Sequence, residues 1–365
     1  MVVQRRETWV TGIGIVSSLG DGLEATWHAL KQGRVNIDEA AFAPWMVHPM
    51  VPLGLSAQIP RRGDQRQMEA WQRIETYAAG LALDSAGIRK DDEILARTDM
   101  IVAASGGERD LAVNGAILTA RGVGDPDAGA LNEGLMNGLR PTLFLAQLSN
   151  LLAGNISIVH GVSGSSRTFM GEEAAGIDAV RIAWAKIEAG QSEIALVRAA
   201  QNAERKEMLM LYDCGGFNLK NEPSSVWSRA GGGFVLGSGG VFLVLESRSH
   251  AETRGAVPLA RLTSVASGHA ARSASGDVQN ALKSLWEAVG ASEVPSAIVT
   301  AAAGTAATAE RGRVPRRSRR HSGPGGRHVF RSSRGSSVSS GTRDVRPQSL
   351  ARQLASAERS VGLRG

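Results

Sequence analysis

Four kinds of side chain in this sequence could carry covalent or proton-transfer chemistry. Cys214 is the only cysteine, so within the chain it can neither close a disulfide nor build a cysteine-based metal site. A thiol can accept an acyl group, yet the setting Tyr212-Asp-Cys-Gly-Gly-Phe217 reads as a small buried hydrophobe beside a turn. Ser163, Ser165 and Ser166 crowd a Gly-Ser-rich stretch, where hydroxyls shape turns more often than they attack carbonyls. Glu173 opens an Ala-rich helical segment, an electrostatically favourable place for a carboxylate. His321 and His328 lie in an arginine-rich stretch, and no histidine base for these nucleophiles is identifiable from the sequence. No metal and no dissociable cofactor is indicated.

The elements that must position these groups alternate between strand and helix. Glu7 to Val16 predicts a strand followed by a glycine-punctuated turn. Gly22 to Gln32 has helical spacing, with Leu23, Thr26, Trp27 and Leu30 on one stripe and Gly33 as its stop. A second helix is expected over Gln67 to Gly87, and Asp99 to Ala104 reads as a buried strand bounded by Ser105-Gly-Gly. Pro141 to Leu152 predicts a helix with proline in its first turn. Glu173 to Ala189 predicts a long helix, and Glu193 to Val197 the strand after it. Gly233 to Gly237 and Val241 to Glu246 read as a glycine-linked strand pair. A helix over Gly276 to Val289 feeds a strand at Ala297 to Thr300. Such alternation predicts an α/β architecture with helices covering a sheet.

Composition narrows the class. The chain has 365 residues, 42% of them hydrophobic, enough for two domains or one large α/β unit. No run of about 18 apolar residues occurs, and Met1-Val-Val-Gln-Arg-Arg leads into a strand with no signal-peptide core, so a soluble cytoplasmic protein is expected. The net charge of +6 is uneven: residues 311–365 hold 14 arginines, no lysine and two acids, a net of +12, leaving −6 for residues 1–310. That tail, dominated by Arg, Ser and Gly, cannot bury enough surface to offset chain entropy and is expected to be disordered. Clustered arginine binds phosphate backbones, but without interleaved aromatics or an RNA-binding motif a nucleic-acid role is disfavoured.

Val10-Thr-Gly-Ile-Gly-Ile-Val-Ser-Ser-Leu-Gly20, with Trp27 and Gly33, resembles the opening of the type II β-ketoacyl-acyl-carrier-protein synthases. Three further stretches agree in order: Pro141 to Gly161, similar to the family's helix and strand before its active-site loop; Cys214-Gly-Gly-Phe217; and Gly233-Phe-Val-Leu-Gly-Ser-Gly-Gly240 with Leu245, Glu246 and His250. The resemblance runs from residue 8 to about 305. It implies a thiolase-like α/β fold of two similar halves layered α-β-α-β-α, here with the C-terminal half incomplete. It further implies condensation of an acyl chain with malonyl carrier protein, through a cysteine at a helix start, two histidines and an oxyanion hole.

At those positions this chain departs from the family. The ungapped register seats Glu173 where the nucleophilic cysteine belongs, while Gly176 keeps the glycine three residues beyond it. Ala303, in Thr300-Ala-Ala-Ala-Gly304-Thr305, falls at the first histidine, and the second lies in the part that has become the tail. Arg198-Ala-Ala stands for a Gly-Gly, and Ser238 for an acidic residue. Gly176, Phe217 and Phe234 are the positions the resemblance assigns to the substrate pocket. The expectation is a non-condensing synthase-like subunit whose partner is acyl carrier protein, as a homodimer or paired with a cysteine-bearing synthase. An active synthase using one of the three serines and the product of a disrupted synthase gene are the alternatives. Residues 1–250 would form the N-terminal synthase half, 251–310 the start of the C-terminal half and 311–365 the tail. Arg327-His-Val-Phe-Arg-Ser-Ser can be written in codons that, one base later, give Gly-Thr-Phe-Phe-Gly-His-Leu, which resembles the second-histidine segment; the tail is therefore read as a shifted frame.

Overall fold

The first strand is rich in β-branched and apolar residues, yet it carries Gly12 and Gly14 in its middle, and packing explains them. A Cβ on Gly12 would lie 2.4 Å from the carbonyl oxygen of Ala82, and one on Gly14 2.0 Å from that of Ala78. Only glycine lets the helix over residues 70–85 come this close to the strand. The computed structural model describes residues 5–104, 106–121, 128–138, 145, 147–171, 174–223, 232–270, 274 and 276–290.

The chain opens with β1 (Thr8–Ser17), turns into β2 (Gly20–Asp21) and enters α1 (Leu23–Lys31). β3 (Val47–His48) and α2 (Arg62–Gln67) precede α3 (Ala70–Ser85). Then α4 (Asp92–Arg97) leads to β4 (Asp99–Ala104), and α5 (Leu111–Arg121), α6 (Ala128–Gly138) and α7 (Leu151–His160) separate it from β5 (Ser166–Met170). Next come α8 (Ala175–Glu188), β6 (Ile194–Gln201), α9 (Lys206–Cys214), β7 (Leu236–Gly237) and β8 (Gly239–Ser247). The last described elements are α10 (Arg248–Thr253), β9 (Ala260–Leu262) and α11 (Asp277–Ala288).

One mixed sheet runs β2-β1-β8-β6-β4-β5, with β9 also pairing β1. β8 runs antiparallel to both β1 and β6, whereas β6, β4 and β5 are mutually parallel. The period of two along each strand divides its side chains between two cores. Met100, Val102, Ala104, Leu196 and Phe242 pack with Trp71, Ile74, Tyr77, Ala78 and Leu83 of α3 and Leu152 and Ile156 of α7. Ile101, Ala103, Ala195, Val197 and Leu245 pack with Ala175, Ala179, Ala183 and Ile187 of α8. All six residues of β4 are buried, the expected signature of a central parallel strand. At about 1.5–3 kcal/mol per fully buried large side chain, α3 and β4 anchor the unit.

Several sequence expectations need correction. Residues 141–144 and 146 of the helix expected over Pro141 to Leu152 lie outside the described residues; the described helix α7 runs from Leu151 to His160, where the resemblance implied a strand, and is ended by Gly161 with φ 78°. Ile156, Ile158 and Val159 favour a strand, but Leu152, Ala153, Ile156 and His160 share one buried helical face against α3, and packing wins over propensity. The supposed strand pair is not a pair either: β7 runs parallel to β3, while β8 lies in the main sheet between β1 and β6. On α1 it is Thr26 and Ala29 that are buried, with Leu23 and Leu30 exposed. The strand expected at 297–300, Ala303 and the whole tail lie outside the described residues, as do residues 271–273, 275 and 291–310 of the expected second half.

Candidate functional site

Because β4, β5 and β6 are parallel, their C-terminal ends emerge on one side of the sheet, the side where open α/β sheets bind ligands. Ala104 stands beside Met170, and Ala103 beside Ala199. Three loops leave there: 106–110 after β4, the segment from Gly171 to α8 after β5, and 202–205 after β6. With neighbouring strands about 4.8 Å apart, the three loop starts span roughly 10 Å.

The loop from β5 to α8 carries the expected nucleophile position. Glu173 and its neighbour Glu172 lie outside the described residues; Gly171 and Ala174 bracket them. A Cβ on Gly171 would approach Ala175 Cβ at 3.5 Å, so the strand end and the helix start are adjacent. Among the described residues no side-chain hydrogen bond caps the first turn of α8, whose N–H groups and dipole favour negative charge. Gly176 follows on that first turn.

The other candidate nucleophiles are elsewhere. Cys214 is the last residue of α9 and is exposed, which overturns its reading as a buried hydrophobe. It sits at a helix C-terminus, where carbonyl groups rather than N–H groups face it. Ser163, Ser165 and Ser166 lie where the chain enters β5, and the Ser165 N–H donates to Asp99 Oδ1 at 3.1 Å. At about 3.3 Å per residue, β5 separates Ser166 from Gly171 by roughly 17 Å. The serines therefore serve the entry to the strand, at the opposite end of the sheet from the three loops.

What the sequence did not disclose is a polar clasp joining two of these loops. Glu108 Oε1 accepts the Asn202 amide N–H at 2.7 Å and the backbone N–H of Trp71 at 3.0 Å, so it holds the loop after β6 and the first turn of α3 together. Arg205 donates to the carbonyls of Gly107 (2.9 Å) and Gly106 (3.3 Å) and pairs with Glu207 (2.7 Å). Ser238 Oγ accepts the Ala203 N–H at 3.0 Å and lies 3.0 Å from Glu204 Oε2, which in turn accepts the Met50 N–H. Ser238 had stood out as replacing an acid; in space Glu204 puts a carboxylate beside it. Burial raises the pKa of Glu108, against the lowering by Asn202 and Arg205. The available signal was the polar run directly after each of two buried parallel strands, Gly107-Glu108 and Asn202-Ala-Glu204-Arg205.

Phe217 and Phe234 do come together, 6.4 Å apart and stacked, with Tyr212 edge-on to both at 6.2 and 5.6 Å. Tyr212 and Phe234 border a small separate core of Val47, Ala203, Leu209 and Leu236. Gly176 sits instead between Ala175 and Ala179, which belong to the α8 core. Among the described residues no histidine side chain hydrogen-bonds the three loops. His160 is buried on α7, where its Nε2–H donates to the Thr76 carbonyl at 2.8 Å, and burial depresses its pKa to about 4. Arg198 pairs through its backbone with Val102 and Phe242; its side chain is not among those described.

The family profile described as "Beta-ketoacyl synthase, N-terminal domain" matches residues 54–251, more than half of the sequence. The chain belongs to the β-ketoacyl synthase family. It is 27% identical over 271 residues to a 3-oxoacyl-[acyl-carrier-protein] synthase 2 of Vibrio harveyi, covering 71% of this chain and 62% of that protein. The synthase 2 of Vibrio cholerae is 25% identical over 265 residues, covering 70% and 61%. The β-ketoacyl synthase homologue thus spans about three-fifths of the length of these curated relatives. Among solved structures, the ishigamide ketosynthase/chain length factor superposes with a TM-score of 0.62 at 20% identity, over 79% of this chain and 71% of that one. A type II polyketide ketosynthase in complex with its acyl-carrier protein gives 0.58 at 22%, over 77% and 74%. The fold is thiolase-like. No helix among the described residues is long and apolar enough to cross a membrane.

Proposed function

We propose that this β-ketoacyl synthase homologue is a non-condensing subunit of acyl-chain biosynthesis. The observation that carries this is the placement of the single thiol: Cys214 ends α9 in solvent, while the start of α8 is reached through Glu172 and Glu173. A carboxylate at that position cannot form the thioester on which condensation depends. Ala303 at the first histidine position removes the imidazole that would polarise a thioester carbonyl.

Acyl carrier protein is the proposed partner. Arg61, Arg62 and Arg66 are exposed along α2 and make no ion pair among the described residues, a cationic strip suited to an acidic carrier. It supplies the basic surface that the −6 charge of residues 1–310 left unplaced. The second proposed partner is a cysteine-bearing synthase. β5 has no strand on its outer side among the described residues, and Met170 and Ile158 are exposed, features of a surface that another chain covers. The pairing of a ketosynthase with a chain length factor in one of the similar structures supports the same reading. The profile match ending at residue 251 supports an N-terminal synthase half over 1–250.

The test is acyl transfer followed by condensation. Incubated with radiolabelled acyl carrier protein, the purified chain is expected to retain no covalent acyl group and to produce no 3-oxoacyl product alone. An adduct released by hydroxylamine and mapped to Ser163, Ser165, Ser166 or Cys214 would overturn the proposal. Adding a cysteine-bearing synthase should change product chain length if the two act as a pair.

A further inference from the structure

α3 carries one acid, Glu75, that neither the clasp nor a described ion pair uses. Glu75 is fully buried in the interface between this helix and the sheet, and neither carboxyl oxygen has a full hydrogen-bond partner among the described residues. Its surroundings are apolar: Ile74 and Ala78 of the same helix close on Ala200 and Gly240, where a Cβ on Gly240 would meet all three at 3.1 Å. An ionised carboxylate without partners is among the costliest groups to bury, so the acid sheds its charge by keeping its proton. The charge that reaches it is that of Glu108, the residue holding loop 202–205 to the first turn of α3.

We propose that Glu75 is a protonation switch in the α3–sheet interface: as a neutral acid it lets α3 seat against β6 and β8, and its ionisation loosens the Glu108 clasp and with it loops 106–110 and 202–205.

The ionisable groups that the surrounding elements contribute are few. β1 contributes none. β8 contributes only Glu246, at its far end and held by Arg254. β6 contributes Arg198, whose side chain is not described. The loop after β6 contributes Glu204 and Arg205, and that after β4 Glu108, the exposed Arg109 and Asp110. α7 contributes His160, bonded to the Thr76 carbonyl and neutral at ordinary pH. On α3 itself, Glu69 stands at the helix start, Arg73 donates to the Gln65 carbonyl at 2.8 Å and Tyr77 bonds Asp21 at 2.7 Å. Asp84 is paired with Arg89. Among the described side chains no cation bonds Glu75, so ionisation would put a second negative charge beside that of Glu108. Burial raises the Glu75 pKa well above its ordinary value, only partly offset by the backbone of Ala200. The sign follows: the folded state holds this proton more tightly than the unfolded chain, so stability falls as pH rises from the unfolded value toward the folded one.

Hydrogen exchange on the full-length chain tests this, with rates corrected for intrinsic pH dependence. Between pH 6 and pH 9, protection in loops 106–110 and 202–205 and in the first turn of α3 should fall about tenfold in the wild type. It should stay level in Glu75→Gln, which cannot ionise. Glu75→Leu serves as a second uncharged variant should the amide pack poorly. The infrared band of a protonated carboxylic acid, present in the wild type at pH 7 and absent from Glu75→Gln, reports the proton directly. Equal pH dependence in wild type and both variants, or no protonated-acid band, would overturn the proposal.

Discussion

Two glutamates, Glu246 on β8 and Glu75 on α3, are both wholly excluded from solvent, yet the protein treats them oppositely. Burial alone would raise the pKa of Glu246. Arg254 meets it with two nitrogens, His250 Nδ1 lies 2.7 Å away and the Thr11 hydroxyl donates to it, and together these hold its pKa near 2. Arg254 also donates to the Ala86 carbonyl at 2.9 Å, so one charged knot joins β1, β8, α10 and the end of α3. Glu75 has no such partner and is pushed the other way. Residue type and burial match; hydrogen bonding sets the charge.

The largest expected effect comes from making one substitution at both places. Glu246→Gln leaves the Arg254 guanidinium without its counter-charge and should cost about 3 kcal/mol, read from the urea midpoint at pH 7. Glu75→Gln replaces a neutral acid by a neutral amide and should leave that midpoint unchanged or raise it. Equal losses at the two sites would dissolve the contrast.

The acid limb sharpens the comparison. The Glu246 contribution is present above pH 4.5 and is lost as pH falls toward 2. His160 acts earlier: neutral in the fold down to about pH 4 but protonated near 6.5 when unfolded, it should withdraw up to roughly 3 kcal/mol as pH falls from 6.5 to 4. His160→Gln should flatten the stability profile in that window and leave the drop below pH 4 intact. The smallest effect is expected at the surface. The Arg97–Glu93 pair on α4 is exposed on both sides, so Arg97→Ala should move the urea midpoint by less than about 0.5 kcal/mol.

Much of the architecture was legible in the sequence because it depends on local pattern. The apolar run Asp99–Ala104 is the fully buried β4, and the expected helices near residues 22–32, 67–87, 173–189 and 276–289 all form within a few residues. Failures occurred where a partner distant in sequence decided the outcome. Residues 151–160 are helical because they pack on α3, and Leu236–Gly237 pairs with Val47–His48, nearly 190 residues earlier. Of the candidate site, Phe217 meets Phe234, while Glu173 and Ala303 lie outside the described residues. Glu108, Asn202, Glu204 and Arg205 gave no comparable warning, since short polar runs after strands are common.

The amino-acid sequence by itself determined the inventory of reactive groups, because residue identity needs no coordinates: the chain holds one thiol, Cys214. It also determined the alternation of strand and helix, because side-chain periodicity is written along the chain. Only the tertiary structure decided that Cys214 is exposed at a helix end, that the serines lie where the chain enters β5, and that burial pushes the Glu75 carboxyl up while Arg254, His250 and Thr11 hold that of Glu246 down. Those outcomes depend on distances between residues far apart in sequence, and electrostatic energy depends on distance and burial rather than on order along the chain.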